Sequence, residues 1–283
     1  MTPAHCSVQS HAVRARATED DLNKPGPSRR CVREICSMNR WEDFRVWSST
    51  SPFREDILDD RVALVTGGGS GIGFEMARQL GLHGSKLVLF GRRANFLDEA
   101  CARLRDEGIE CCYSAGDVRK PDDCAAAVAV AEETYGHLNV LINGAAGMFP
   151  ASMGESLSPN GFKTVVEIDV LGTYNMSAAA LPALKKTGQA VVINTTVPPH
   201  FLRGQMWWVS HMQAAKAAVT TMSQSMAKEW AEYGIRCCNV APGAIADTPA
   251  ALKQGNRAAL TSEAELSPDG IPVARHVPLG RMG

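Results

Sequence analysis

The sequence predicts an α/β domain built on a doubly wound parallel sheet. Short apolar segments alternate with longer amphipathic ones from residue 61 onward, which is typical of strands joined by crossover helices. The short segments are apolar at consecutive positions, so they suit burial on both faces of a sheet. A glycine-rich turn joins the first short segment to the first long one, as in domains whose ligand lies at the carboxyl edge of the strands.

We predict six strands and five helices within one domain that covers residues 51–283. The strand candidates, in order, are Val62–Thr66, Lys86–Phe90, Glu110–Ser114, Val140–Asn143, Ala190–Asn194 and Arg236–Ala241. The helix candidates between them span 71–83, 95–107, 121–135, 160–185 and 205–232. Residues 1–50 are polar and show no sustained helical or strand periodicity, so we expect a disordered tail there.

The bulk composition argues against several classes of function. The 283-residue chain has 29 basic and 30 acidic residues, so it offers no basic field for nucleic acid or a membrane surface. No apolar run approaches the length of a transmembrane helix. The nine cysteines are odd in number and lack metal-ligand or disulfide spacing, which favours a reducing, intracellular setting without a metal site. We therefore expect small molecules or other subunits as partners.

The glycine-rich turn Thr66–Gly73 follows an apolar strand and opens a helix. Its amides and the helix N-terminus face one point, which suits the pyrophosphate of a dinucleotide. Gly67 permits the tight turn, Gly71 lets the backbone approach the phosphates, and Gly73 lets the helix pack closely on the strand. The predicted phosphate-binding residues are Gly67, Gly69, Ser70, Gly71, Ile72 and Gly73.

Two arginines, Arg92 and Arg93, follow the second strand, where a site for NAD would place an acid on the ribose diol. A guanidinium there would pair with a 2′-phosphate, so we predict NADPH as the cofactor. The alternative is that one or both arginines merely solvate a loop. Asp117 and Val118 end the third strand and are predicted to meet the adenine, although Asp117 can equally be an ordinary turn former.

Three motifs together resemble the short-chain dehydrogenase/reductase family, which has a Rossmann fold. They are the spacing Thr-Gly-x-x-x-Gly-x-Gly in the turn, the run Asn143–Gly147 and the pair Pro242-Gly243, and the resemblance covers about residues 57–283. The resemblance implies that the following residues line the adenosine or close over the nicotinamide: Asn143, Ala145, Gly147, Pro242, Gly243, Ile245 and Thr248.

The residue expected to donate a proton departs from the usual family pattern. That pattern places a tyrosine four residues before the active-site lysine, and this chain has Met212 before Lys216. A thioether cannot donate a proton. Either the site is inactive, or the reaction receives its proton from another group.

The peroxisomal 2,4-dienoyl-CoA reductase branch also lacks this tyrosine, and it is similar to this chain in several other places. It has a histidine five residues before the lysine, as His211 is here, and Asp169 stands where most of the wider family has asparagine. Further similar segments are Ser51–Asp56, Gly116–Arg119, Ala145–Phe149 and Leu157–Phe162. The resemblance implies NADPH-dependent reduction of conjugated dienoyl-CoA to 3-enoyl-CoA in the β-oxidation of unsaturated fatty acids.

The same resemblance assigns roles at the reacting end of the site. Asp169 and Lys216 would hold a water that protonates carbon, Lys216 would also hold the nicotinamide ribose, and the Thr196 hydroxyl would bind the thioester oxygen. The implied substrate contacts are Arg92, Arg119, Phe149, Ser158, Asn160 and His211. From the residues alone, Lys216 can be a surface lysine, Asp169 a charge on a helix face, and His211 a packed core residue.

The resemblance also sets expectations for the ends of the chain. The family continues past Val277–Gly283 with one more helix and a strand, so we expect this domain to lack both. Arg281–Gly283 does not resemble a Ser-Lys-Leu peroxisomal signal, so the resemblance favours the peroxisome and the ending favours the cytoplasm. We expect a homodimer or homotetramer. Met148 replaces an asparagine of the branch. The alternatives to a 2,4-dienoyl-CoA reductase are another enoyl-CoA or carbonyl reductase, or a truncated NADP-binding pseudoenzyme.

Overall fold

The computed structural model describes residues 51, 53–147, 153, 156–198, 210–243, 245 and 248. The predicted tail, the residues after 248, Met148 and Phe149 lie outside these described residues. The first half of the domain contains, in order, β1 (Val62–Thr66), α1 (Gly71–Leu82), β2 (Lys86–Gly91), α2 (Ala94–Asp106), β3 (Cys111–Ala115), α3 (Pro121–Tyr135) and β4 (Val140–Asn143).

The second half begins with a long helical segment in three parts. It contains, in order, α4 (Pro159–Val166), a π-helical turn (Glu167–Leu171), α5 (Gly172–Thr187), β5 (Ala190–Thr195), α6 (Ser210–Glu229), a 3₁₀ turn (Ala231–Tyr233) and β6 (Ile235–Val240). Every predicted strand is present, with boundaries that agree to within one residue. No helix in the described part of the chain is long and apolar enough to cross a membrane.

The six strands form one parallel sheet in the order β3-β2-β1-β4-β5-β6. This order confirms the predicted doubly wound topology. Strands β1 to β3 are added toward one edge of the sheet and β4 to β6 toward the other, so the order of addition reverses between β1 and β4. Thr66 at the end of β1 is in register with Asn143 of β4, and Asn143 is in register with Asn194 of β5. The carboxyl ends of these three strands therefore meet at the same edge of the sheet.

Residues of β1 alternate between two apolar layers, because neighbouring side chains of a strand point to opposite faces. Val62 and Leu64 pack in the layer that includes α3 and α5, and Ala63 and Val65 pack in the layer that includes α1 and α2. Burial on both faces explains why the central strand is apolar at consecutive positions.

Two predicted helices differ from the structure. The helix expected at 160–185 is interrupted by the π-helical turn Glu167–Leu171, and its apolar pattern gave no sign of that extra residue per turn. The helix expected at 205–232 is described from Ser210 to Glu229. It ends near the buried Trp230, and the following turn closes at Gly234 with a φ of 71°, a backbone conformation that glycine adopts without strain.

Candidate active site

The glycine-rich turn leaves no room for side chains at two of its positions. A Cβ on Gly73 would lie 2.5 Å from the carbonyl oxygen of Gly67, and a Cβ on Gly67 would lie 2.9 Å from that of Gly144. Ser70 precedes the first turn of α1 without capping it through its side chain. The amides at this helix end are thus not capped by the Ser70 side chain, an arrangement compatible with the predicted anion site.

The turn is joined directly to the loop that follows β4. The Thr66 hydroxyl accepts hydrogen bonds from the backbone N–H groups of Gly144 and Ala145, each at 3.0 Å. At the far end of this loop, the Gly147 N–H donates to Oδ1 of Asp169 at 2.6 Å. One short loop therefore spans the distance from the predicted phosphate site to the predicted catalytic aspartate.

The Asn143 side chain faces the core instead of the cofactor side. Its Nδ2 donates to Ser177 Oγ at 2.9 Å and to Asn194 Oδ1 at 2.8 Å. The adenosine contact implied for Asn143 is therefore restricted to main-chain atoms.

The two arginines after β2 have different surroundings. The Arg93 guanidinium lies 3.8 Å from the centre of the Phe96 ring, a cation–π contact. Arg92 is exposed, and its charge helps to lower the pKa of Asp117. Because Arg93 is already stacked, Arg92 is the freer of the two to bind a 2′-phosphate.

Asp117, predicted to meet the adenine, and Arg119, a substrate contact implied by the resemblance, bind each other in the structure. Arg119 Nε lies 3.0 Å from both carboxylate oxygens of Asp117. The hydrogen bond from Arg119 is the main cause that holds the pKa of Asp117 below its usual range. A cavity of about 260 Å³ lies beside the pair, lined by Asp117, Arg119, Lys120, Glu167 and Leu171.

The π-helical turn places Asp169 at the centre of the site. Its side chain is fully buried, and Oδ2 lies 3.4 Å from Nζ of Lys216. The Thr173 hydroxyl donates to the backbone carbonyl of Asp169 at 2.7 Å, which helps to fix the main chain at Asp169. Burial raises the pKa of Asp169, while the Lys216 charge, the Gly147 N–H and the charge of His211 oppose that rise.

Lys216 reaches Asp169 from α6, and its side chain is only 5% exposed. The alternative that Lys216 is a surface lysine is therefore wrong, and so is a solvated helix-face role for Asp169. Met212 is buried one turn before Lys216 on the same helix, so a thioether stands where the family pattern has a phenol. Fully buried His211 lies close enough for its charge to act on Asp169.

Residues 61–258 match the sequence model of the short chain dehydrogenase family. The chain belongs to the short-chain dehydrogenase family. Its relatives include the peroxisomal 2,4-dienoyl-CoA reductase [(3E)-enoyl-CoA-producing] of Arabidopsis thaliana, 44% identical over 72% of this chain and 70% of the plant protein. The enzyme of the same name from Danio rerio is 39% identical over 80% of this chain and 74% of the fish protein.

Solved structures of this short-chain dehydrogenase family share the fold. An actinorhodin polyketide ketoreductase solved with NADPH is 28% identical, with a TM-score of 0.69 over 79% of this chain and 85% of that one. The citronellol catabolism dehydrogenase of Pseudomonas aeruginosa is also 28% identical, with a TM-score of 0.67 over 82% of this chain and 85% of that one.

Three further predicted residues, Thr196, Ser158 and Thr248, make hydrogen bonds within the described part of the chain. Thr196 is buried directly after β5, and its N–H donates to the Val240 carbonyl at 2.9 Å. Ser158 caps α4 by accepting a hydrogen bond from the Gly161 N–H, so it already has a structural role. The Thr248 hydroxyl donates to the Ile245 carbonyl at 3.2 Å.

The polar residues beneath the site were not predicted from the sequence. Thr66, Ser177, Asn194 and Ser223 are buried and hydrogen-bonded next to the predicted site residues. Asn194 could have been noticed, because an amide stands in a strand that is otherwise apolar. No group of three potential metal ligands is present among the residues that the structure describes.

Proposed function

We propose that this short-chain dehydrogenase is an NADPH-dependent 2,4-dienoyl-CoA reductase that forms 3-enoyl-CoA, and that it works in the peroxisome. The observation that carries the proposal is the buried contact of Asp169 with Lys216 beside Met212. This arrangement lacks the phenol that protonates an alkoxide, but it retains a carboxyl–ammonium pair that can deliver a proton. The named relatives, which are peroxisomal 2,4-dienoyl-CoA reductases, support the same substrate class and location.

The residues at the edge of the sheet fit NADPH. The turn is a backbone cradle that a Cβ on Gly67 or Gly73 would fill, and Arg92 supplies an exposed cation near the end of β2. The turn would hold the pyrophosphate, Arg92 and Arg93 the 2′-phosphate, and Lys216 the nicotinamide ribose. When bound, NADPH supplies a hydride to the substrate.

Asp169 and Lys216 would provide the proton that completes the reduction. In a conjugated dienoyl thioester, negative charge spreads to the thioester oxygen, and the proton is needed at carbon. The ammonium of Lys216 and the carboxyl of Asp169 can hold a water between them, and the raised pKa of Asp169 favours its acting as an acid. The Thr196 hydroxyl would donate to the thioester oxygen and stabilise the charge there.

The proposed oligomer is a homodimer or homotetramer. Leu171 and Tyr174 are 49% and 59% exposed and lie three residues apart, so they form an apolar spot at the start of α5. Contact between subunits would remove this surface from water. Sedimentation equilibrium would measure the mass, and a monomer at micromolar concentration would contradict this part of the proposal.

The deciding experiment follows NADPH oxidation by the purified protein with 2,4-dienoyl-CoA, 2-enoyl-CoA and a ketone as separate substrates. We expect turnover with the dienoyl thioester, reduced by about 100-fold or more in Lys216→Ala and Asp169→Asn. Lys228→Ala is the matched control, because Lys228 is an exposed lysine of the same helix.

Three outcomes would contradict the proposal in different ways. Faster turnover of 2-enoyl-CoA or of the ketone would favour another reductase of the same family. NADPH binding without any turnover would favour a pseudoenzyme. Full activity in both Lys216→Ala and Asp169→Asn would retain the substrate assignment and overturn the proton-delivery role.

A further inference from the structure

Four buried polar side chains form a continuous hydrogen-bonded chain through the core of the domain. Ser177 of α5 accepts from Asn143 of β4, Asn143 also donates to Asn194 of β5, and Asn194 donates to Ser223 of α6. The last of these distances, from Asn194 Nδ2 to Ser223 Oγ, is 2.7 Å, and Ser223 donates in turn to the Val219 carbonyl at 2.8 Å. None of the four residues is more than 3% exposed. We call this set the polar crossbar.

Each member of the polar crossbar belongs to an element that carries part of the candidate active site. Asn143 directly precedes the loop whose Gly147 N–H binds Asp169, and Asn194 lies two residues before Thr196. Ser177 follows Asp169 by about two helical turns, and Ser223 follows Lys216 by about two turns of α6. Asp169 lies in the π-helical turn that continues directly into α5, and Lys216 lies in α6, so the two sides of the pair are linked to each other through β4 and β5.

The polar crossbar is not explained by stability alone. Amides and hydroxyls cost free energy when they leave water, and apolar side chains of similar size would fill this core without that cost. Asn143 Oδ1 has no hydrogen-bond partner among the described residues, so part of the cost is uncompensated there. Hydrogen bonds, unlike apolar contacts, are directional and lock the separation of the groups they join. A chain of them suits a role in alignment.

We propose that Ser177, Asn143, Asn194 and Ser223 are positioning residues that hold α5 and α6 in the register that brings Lys216 to Asp169. The contact between Nζ and Oδ2 is 3.4 Å, so a small shift of either helix would separate the pair. The catalytic consequence rests on the proposed function, whereas the alignment of Lys216 does not.

The first test measures the alignment directly and needs no dienoyl-CoA. The rate at which acetic anhydride acetylates Lys216 at fixed pH, followed by peptide mass spectrometry, reports how well the lysine is held in its buried contact. We expect Ser223→Ala to raise this rate about threefold or more, because looser helix packing exposes the amine more often. Thr221→Ala is the matched control, since the Thr221 hydroxyl also bonds to a carbonyl four residues earlier but is exposed and outside the polar crossbar.

The second test measures catalysis. In Ser223→Ala we expect kcat for dienoyl-CoA to fall about tenfold, which corresponds to ~1.4 kcal/mol in the activation free energy, while KM changes little. Ser177→Ala should lower kcat by a similar factor. The double variant should lower kcat about as much as either single change, because both substitutions interrupt the same chain of hydrogen bonds. Independent packing defects would instead multiply their effects on kcat.

The outcomes separate the inference from the proposed function. Equal acetylation rates of Lys216 in wild type, Ser223→Ala and Thr221→Ala would overturn the inference, whatever the activity of the protein. A faster rate in Ser223→Ala alone would support it even if wild type showed no dienoyl-CoA turnover, a result that would overturn only the proposed function. Ser223→Thr keeps the hydroxyl and should restore the slow rate. Circular dichroism would verify that each variant is folded.

Discussion

The glycine-rich turn and the Asp169–Lys216 pair lie at the same edge of the sheet but are built in opposite ways. The turn consists of consecutive residues and acts through its backbone, so its main demand on the chain is the absence of side chains at positions such as Gly67 and Gly73. The pair brings together two side chains from different helices in a buried position. The turn therefore depends on local sequence, whereas the pair depends on the packing of the whole second half of the domain.

The largest expected effect is at the turn. Gly73→Ala would place a methyl group 2.5 Å from the Gly67 carbonyl oxygen, and neither backbone segment can retreat without opening the turn. We expect the NADPH affinity to fall by about 100-fold or more, about 2.7 kcal/mol, in a fluorescence titration.

Gly91→Ala is the control for that prediction. Its methyl group would meet the tip of the Leu97 side chain at 3.7 Å, an ordinary van der Waals contact, so we expect a change of less than about threefold. Equal NADPH affinities of the two variants would show that the turn tolerates a side chain at Gly73 and does not depend on its backbone alone.

A smaller effect is expected at the arginines after β2. Arg92→Gln should reduce the preference for NADPH over NADH about tenfold, about 1.4 kcal/mol, because it removes an exposed cation from the predicted 2′-phosphate site. Arg93→Gln should reduce it less, since the Arg93 guanidinium is already stacked on Phe96. Titrations with both cofactors would measure the preference, and a larger loss in Arg93→Gln would reverse the assignment.

The smallest expected effect concerns the pH dependence of stability at the pair. Burial raises the pKa of Asp169, so protonation stabilises the folded state below the ordinary pKa of about 3.9. That contribution is lost as pH rises through the raised pKa. Asp169→Asn has no carboxyl group to titrate, so its free energy of unfolding lacks this dependence on pH. The free energy of unfolding of wild type should therefore fall relative to the variant as pH rises from about 4.

Urea denaturation at a series of pH values would measure this difference. The lost contact with Lys216 adds an offset between the two proteins, so the comparison uses only the change of their difference with pH. A wild-type stability that rises relative to Asp169→Asn with pH would show that the charge of Lys216 outweighs burial at Asp169.

Much of the fold was predictable because strand and helix periodicities differ and because glycine marks turns. The six strands, their parallel arrangement and the family all follow from such local patterns, and the structure and the comparisons confirm them. The π-helical turn was not predictable, because one extra residue in a helix leaves the apolar pattern almost unchanged. The roles assigned to individual site residues stay predictions.

By itself, the sequence determined the strand–helix order, the glycine-rich turn, and the presence of Met212 where the family pattern has a tyrosine. These properties depend on residues close together in the chain. Only the tertiary structure decided that Lys216 is buried against Asp169, that Arg119 binds Asp117, and that Asn143 faces the core. Such properties arise from contacts between distant segments, where burial and hydrogen bonding, rather than local patterns, select one arrangement.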